Sequence, residues 1–495
     1  MNSIKQLAGQ TLVYGMGTIV PRVLNYALLT PFYTRIFPVE TGEYGVVTEI
    51  YAYMAILLIL LTYGMETAFF RFSTSKELDK KKVYNTALLS LLTSSILFLV
   101  IVLFNNQGIA NILEYSGHKE YIIMFSIIVA IDAFTAIPFA RLRIENKAFR
   151  FAFIKLINVL VIVIIAFGFL YWIPQQIEKN PDSILNTIYS PEIRVGYVFI
   201  ANLCGSLVSL ILLLPNIITL RFKADFTILK KLLAYALPLL IAGLAGVLND
   251  NFDKAAMKFL IPDKTIALKE LAIYGANYKI AVLMALFIQM FRYAAEPFFF
   301  SKSKDKNATK LYAQVMNYFV LFCLVIFLVL SLNLEIFKYL IPPDYWNALN
   351  VVPIILMAFV FFGIFVNLSV WYKLNDLTKY AVFITLAGTV VTLFINIKYV
   401  PVYGYMASAW GHFAAYLLMI VMSYFLGKKH YPVPYNILKI GYYFIITLAI
   451  FLVCSILPIK SNLLHLIINN VLILIFVGFI YFKELKHGFI EVDNL

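Results

Sequence analysis

Residues 11 to 34, TLVYGMGTIVPRVLNYALLTPFYT, form an apolar stretch long enough to cross a bilayer, and Pro21, Arg22 and Asn25 sit near its middle. A guanidinium cannot shed its charge, and holding one at membrane depth costs about 2.5 to 3.5 kcal/mol on insertion scales. Arg22 must therefore face protein or water rather than lipid. At helical spacing Thr11, Gly15, Thr18, Arg22, Asn25 and Tyr26 share one face, while Leu12, Ile19, Val23 and Leu28 lie mostly elsewhere. The segment reads as a membrane helix whose polar face lines something. Pro21 removes a backbone hydrogen bond and Pro31 repeats the weakness, so this helix is expected to bend.

The rest of the chain has the same solvent. Its 495 residues are 62% hydrophobic and 13% charged, with a mean hydropathy of +0.86, which describes a polytopic membrane protein. Each crossing needs about 20 mostly apolar residues. Fourteen candidates emerge, at 11–34, 44–70, 83–104, 119–140, 151–173, 194–217, 231–253, 272–298, 311–333, 349–372, 380–398, 403–426, 437–457 and 463–482. The expected fold is all-α with about 14 transmembrane helices. The amino terminus lacks the short apolar core and small-residue cleavage site of a signal peptide, so it is read as the first helix. Cys204, Cys323 and Cys454 all fall in apolar runs, which suggests packing rather than disulfides or a metal cluster.

Orientation follows from Lys and Arg, which accumulate in short cytoplasmic loops. With the amino terminus inside, the connections at 71–82, 141–155, 221–231, 302–310 and 428–439 are cytoplasmic and basic, and the carboxyl tail is cytoplasmic too. The opposite connections at 105–118, 174–193, 334–348 and 458–462 are poor in cations by comparison. One connection dissents, because 254–271 carries Lys254, Lys258, Lys264 and Lys269 on the expected outer side. The net charge of +14 is accounted for by this bias and by attraction to anionic headgroups, so nucleic acid is not an expected partner.

No long soluble domain interrupts the crossings, and neither a G-x-x-x-x-G-K-[ST] phosphate loop nor an HExxH or paired-cysteine metal motif occurs. An enzyme is not expected; movement across the membrane is. An internal repeat supports that reading. Tyr44-Gly45, Glu49, Tyr63 and Glu66 recur as Tyr274-Gly275, Lys279, Tyr293 and Glu296, all at one offset of 230 residues, and Gly196-Tyr197 recurs as Gly404-Tyr405. Chance recurrence of Tyr-Gly pairs is the competing explanation, and the shared offset favours duplication. The expected architecture is two six-helix lobes, 1–230 and 231–430, followed by two further helices and a short tail in 431–495. Transporters built from repeats place their substrate site at the repeat interface.

Intramembrane ionisable residues concentrate in the helices that would border it: Arg22, Glu49, Glu66, Asp250, Asp253, Lys279, Arg292 and Glu296. Gln289, Arg292, Tyr293 and Glu296 form a single helical stripe, in which Arg292 and Glu296 could simply neutralise each other. Arg22, Asn25, Lys279 and Arg292 are the candidate substrate-binding residues, because Arg offers a rigid fork of donors to phosphate oxygens and Lys a point charge. Glu49, Glu66, Asp250, Asp253 and Glu296 are candidates for ion coupling or for pairing with those cations. Asp132 is read as a local partner of Arg141 and Arg143. No cofactor or metal is expected, and H+ or Na+ coupling stays open.

Four stretches carry a family resemblance: IENKAFRFAFIKLINVLVIV at 144–163, KKLLAYALPLLIAGLAGVLND at 230–250, YGANYKIAVLMALF at 274–287 and INIKYVPVYGYMASAWGHFAAY at 395–416. With them, nearly the whole chain resembles the polysaccharide-export flippases of Wzx type, in the superfamily that also holds multidrug and toxin extruders and lipid II flippases. The resemblance implies alternating access by two lobes in a bacterial inner membrane. It also implies an undecaprenyl-diphosphate-linked oligosaccharide as cargo, such as an O-antigen, capsule or exopolysaccharide repeat unit, moved from the cytoplasmic to the periplasmic leaflet. A polysaccharide polymerase and glycosyltransferases would be its partners in lipopolysaccharide or related polysaccharide biosynthesis, and Arg22 matches a basic cavity position of lipid flippases. A cation-coupled drug exporter of the same superfamily and a non-transporting scaffold of a glycan-assembly complex are the alternatives.

Overall fold

In lipid every backbone N–H and C=O must be satisfied within the segment or within a closed barrel, so long apolar runs without two-residue alternation become helices. The computed structural model describes residues 19–74, 78–218, 224–303, 305–375, 377–457 and 461–485. Its regular elements are all helical. Helix α1 covers 19–36; the rest of the first expected crossing lies outside the described residues. It is followed by α2 (Glu43–Thr74), α3 (Lys80–Phe104), α4 (Lys119–Ile144), α5 (Ala148–Lys179), α6 (Gly196–Ile217) and α7 (Phe226–Leu260). Helix α8 spans Lys264–Lys302. Then come α9 (Ala308–Leu332), α10 (Val351–Leu374), α11 (Lys379–Tyr403), α12 (Tyr405–His430), α13 (Ile437–Ile456) and α14 (Asn462–Ile480). Thirteen helices among the described residues are long and apolar enough to cross a membrane, and each matches an expected crossing from the second onward. The chain is a multi-pass, all-helical membrane protein.

The expected bend in α1 takes the form of a π-turn over Asn25–Leu29, between the two prolines. A helix widened by one residue relieves the clash of the Pro31 ring with the carbonyl four residues back, and such turns occur often at functional sites. Asn25 lies in this turn. Helix α2 is broken at Tyr63 (φ 33°) and Gly64 (φ 75°), where a Cβ on Gly64 would stand 2.7 Å from the Ala236 carbonyl oxygen. The repeat-related position is Ala294, and α8 runs through it without a break.

The described helices form two compact units, one up to Ala272 and one from Ile273. In the first, α3 packs on α4, and α6 packs on both α4 and α5; α7 lies along α2. In the second, α9 packs on α10, α12 packs on α10 and α11, and α13 and α14 add to α9. The same three pairings thus recur in each unit, as a duplicated six-helix element would require. The helix α7 packs with the first unit, although the repeat places its sequence at the head of the second lobe.

Within the first unit α2 and α8 approach at Gly45, where a Cβ would collide with the Leu268 carbonyl oxygen and lie 3.0 Å from its carbonyl carbon. A backbone atom cannot swing aside as a side chain can. Gly45→Ala is therefore expected to destabilise the protein by about 1 to 3 kcal/mol, read as a lower melting temperature in detergent. An unchanged melt would mean that this crossing is looser than described.

Candidate functional site

Helix length decides where the outer-side lysines go. Since α7 continues to Leu260, Lys254 and Lys258 are helix residues rather than loop residues, and both are buried. Lys258 Nζ lies 3.3 Å from Glu49 Oε2 and donates to the Leu113 carbonyl at 2.6 Å. Tyr53 stands 2.5 Å from Glu49 Oε1, and Tyr115 donates to Oε2. The Tyr53 hydroxyl is also 2.9 Å from the Ala255 carbonyl, so its single proton can serve a charged Glu49 or turn away from a neutral one. Burial, then the Glu49 carboxylate, push the Tyr115 phenol well above its usual range, and it remains a donor. Lys254 binds Asp253 at 3.1 Å and the Asp250 carbonyl at 2.9 Å. Lys264 pairs with Glu114 at 3.2 Å. Three of the four dissenting cations are thus matched by carboxylates, which removes most of their weight as an orientation signal.

A second polar group lies among α1, α4, α5 and α6. Asp132 accepts from Ser206 Oγ at 2.8 Å, and Asn158 donates to Ser209 Oγ at 3.0 Å. Lys155 interacts electrostatically with Asp132 and with Arg22, and its ammonium sits 4.0 Å from the Phe139 ring centroid. Arg22 stays accessible and Asn25 is half-buried. Lys155 therefore lies in the fields of the Asp132 carboxylate and of the Arg22 and Arg143 guanidinium groups. This corrects the reading of Asp132: Arg141 bonds Glu145 at 2.6 Å and Arg143 bonds Glu66, while Asp132 faces Ser206 and Lys155. Lys155, counted above with a basic loop, is two turns inside α5; its position in the apolar run FAFIKLINV was the available signal.

In the second unit the expected stripe on α8 has a further member. Arg292 Nε lies 2.9 Å from Glu296 Oε1, and Lys373 of α10 lies 2.7 Å from the same oxygen. Gln289 reaches the Tyr293 hydroxyl at 3.4 Å. A pocket opens beside this trio, lined by Phe291, Phe299, Asn367, Ser369 and Val370 among others. Asn367 is 2% exposed, and its amide nitrogen has no hydrogen-bond partner among the described residues. A buried donor left in that state costs about 1 to 3 kcal/mol. Two cations here face one carboxylate. Lys279 is half-buried on the same helix.

The structure therefore joins Arg292 with Glu296, and gives Glu49, Glu66 and Asp253 the partners Lys258, Arg143 and Lys254. Arg22 and Asn25 belong to the first unit, Lys279 and Arg292 to the second. Sequence reasoning missed Lys155, Lys258, Asn367 and Lys373. Besides the apolar run around Lys155, a signal existed for Lys373: Glu66–Arg143 and Glu296–Lys373 are the same pair at the offset of 230, as are Phe69-Phe70 and Phe299-Phe300.

Repeated helix pairings and charged groups held within membrane-spanning helices define the class: a duplicated multi-pass bundle of the kind found in lipid flippases and multidrug transporters. The fold is similar to that of the lipid II flippase MurJ in an inward closed conformation, with a TM-score of 0.69 at 16% identity over 94% of this chain and 98% of that one. It is also similar to the MATE multidrug transporter DinF-BH (TM-score 0.60, 14% identity, 87% and 96% covered). A third similar structure is an outward-facing MATE family transporter of the MOP superfamily (TM-score 0.58, 13% identity, 89% and 96% covered). None of the curated proteins compared matches the chain. The chain belongs to the polysaccharide biosynthesis protein family, whose model matches residues 7–302.

Proposed function

We propose that this protein is a flippase that moves an undecaprenyl-diphosphate-linked oligosaccharide from the cytoplasmic to the periplasmic leaflet of a bacterial inner membrane, with both termini cytoplasmic. The observation that carries the reading is the charge balance of the polar group in the second unit. Among the described residues, Arg292 and Lys373 are both set against one carboxylate, Glu296. That group keeps a net positive charge within membrane-spanning helices, which suits a diphosphate and would repel a cationic drug. Membership of a polysaccharide biosynthesis family supports the sugar part of the cargo.

In this mechanism the headgroup enters near Arg22, Asn25, Lys279 and Arg292 while the polyprenyl tail stays in lipid, and two lobes rock to open outward. Moving one elementary charge through the membrane potential is worth about 2.3 kcal/mol per 100 mV, so an inside-negative potential assists a dianionic headgroup on its way out. Proton or sodium return through Glu66, Glu296 or Asp250 would add to that drive. The polymerase and glycosyltransferases of the same assembly line would consume and supply the cargo.

Cells depleted of the protein test this reading. Lipid-linked oligosaccharide should accumulate in the cytoplasmic leaflet and become inaccessible from outside. A pool of normal size and sidedness, joined by new sensitivity to cationic dyes, would instead favour a drug exporter. Normal sidedness with loss of assembled polysaccharide would favour the scaffold.

A further inference from the structure

The ion pair beside this pocket has a counterpart in the first unit, where other residue types stand at the positions of the pocket's polar lining. Glu66–Arg143 repeats Glu296–Lys373 at the offset of 230, with the same Phe pair one turn on. At the positions of Arg292, Asn367 and Ser369, however, the first unit has Thr62, Ile137 and Phe139. The interhelical ion pair forms there without the extra donors, so holding α8 to α10 does not account for them.

Their geometry points to a ligand. Glu296 takes both cations on one oxygen, Oε1, which brings a guanidinium and an ammonium together and leaves one positive charge over. Arg292 uses Nε for that contact, and no hydrogen bond from its two terminal nitrogens is found among the described residues, so they can reach an acceptor in the pocket. The Asn367 amide, buried in the pocket wall, holds a donor that no described residue satisfies. A guanidinium fork, an ammonium and an amide N–H₂ form a donor set for tetrahedral oxyanions. We infer that this pocket of the second unit binds a phosphate group, with Asn367 and Lys373 as binding residues beside Arg292. The inference deepens the flippase reading and rests on it only for the source of the phosphate, which is a lipid headgroup or phosphate free in solution.

The test is thermal unfolding of the full chain in phosphatidylcholine nanodiscs, because a ligand that binds only the folded state raises the melting temperature. Inorganic phosphate is titrated in one arm, and phosphatidic acid is doped into the bilayer in the other. A rise with both assigns the site to the phosphate group itself, and a rise with phosphatidic acid alone assigns it to a lipid headgroup. The decisive variant is Arg292→Thr with Asn367→Ile, which installs the first unit's residues and keeps the Glu296–Lys373 pair. It should melt like the wild type without ligand and need roughly tenfold or more probe for the same rise. Asn367→Ile alone should fall between the two. Absence of a rise with either probe, or the same rise in the double variant, overturns the pocket. A rise lost instead in Arg22→Ala moves the phosphate to the first unit, which also overturns the pocket and leaves the flippase reading standing. A pocket that behaves as expected in a protein that does not flip lipid-linked sugar would remove that reading and leave the pocket.

Discussion

Lys258→Met is expected to destabilise the folded protein by about 3 to 5 kcal/mol, because it strands a buried carboxylate. Glu49 has no exposed surface and Lys258 has 2%, so water cannot replace the ammonium. Tyr53 and Tyr115 still donate to the carboxylate, but hydroxyls supply no counter-charge. The loss should therefore be cured from the other side: adding Glu49→Gln to Lys258→Met removes the stranded charge, keeps an acceptor oxygen for one phenol and offers an amide N–H to the hydroxyl oxygen of the other. Melting temperature in detergent reads both variants. A single variant as stable as wild type, or a double variant no better than the single, would show that the pair does not hold α2 to α7.

Arg22→Ala is expected to leave abundance unchanged while lowering transport by roughly ten- to a hundredfold, the loss of about 1.5 to 3 kcal/mol of charge-assisted hydrogen bonding to the cargo. The fold should tolerate it. Arg22 is accessible, and Asp132 keeps both Ser206 and the field of Lys155. Arg22→Lys should fall between, since an ammonium keeps the charge and loses the planar fork. Abundance by immunoblot and leaflet accessibility of the lipid-linked sugar decide the matter. Wild-type transport at normal abundance would remove Arg22 from the headgroup site.

The class of fold was legible because its signal is redundant: each crossing repeats the same long apolar run, and thirteen of them could be read within a few residues. The π-turn in α1 was foreshadowed by Pro21 and Pro31, whose missing N–H groups disturb any α-helix. What misled was the treatment of lysine. Lys155, Lys254 and Lys258 were counted as loop charges because lysine is costly in lipid, yet each lies within a helix and meets a carboxylate or its field. Asp253 and Lys254 are sequence neighbours, but the Glu49–Lys258 pair joins residues far apart in sequence, and no local pattern contains it. The exception is instructive. Glu296–Lys373 repeats Glu66–Arg143, so an offset found from tyrosines and glycines already held the answer, had it been extended to residues that match in charge but not in identity.

What the protein moves is the central claim, and reconstitution measures that directly. The purified chain is placed in proteoliposomes with a fluorescent undecaprenyl-diphosphate-linked oligosaccharide, and an impermeant quencher reports the fraction in the outer leaflet. Wild-type protein is expected to equilibrate the labelled lipid between leaflets far faster than empty liposomes do, and Arg22→Ala protein to approach the empty rate. Labelled lipid crossing at the protein-free rate, in vesicles where the same protein moves a cationic dye, would contradict the flippase reading.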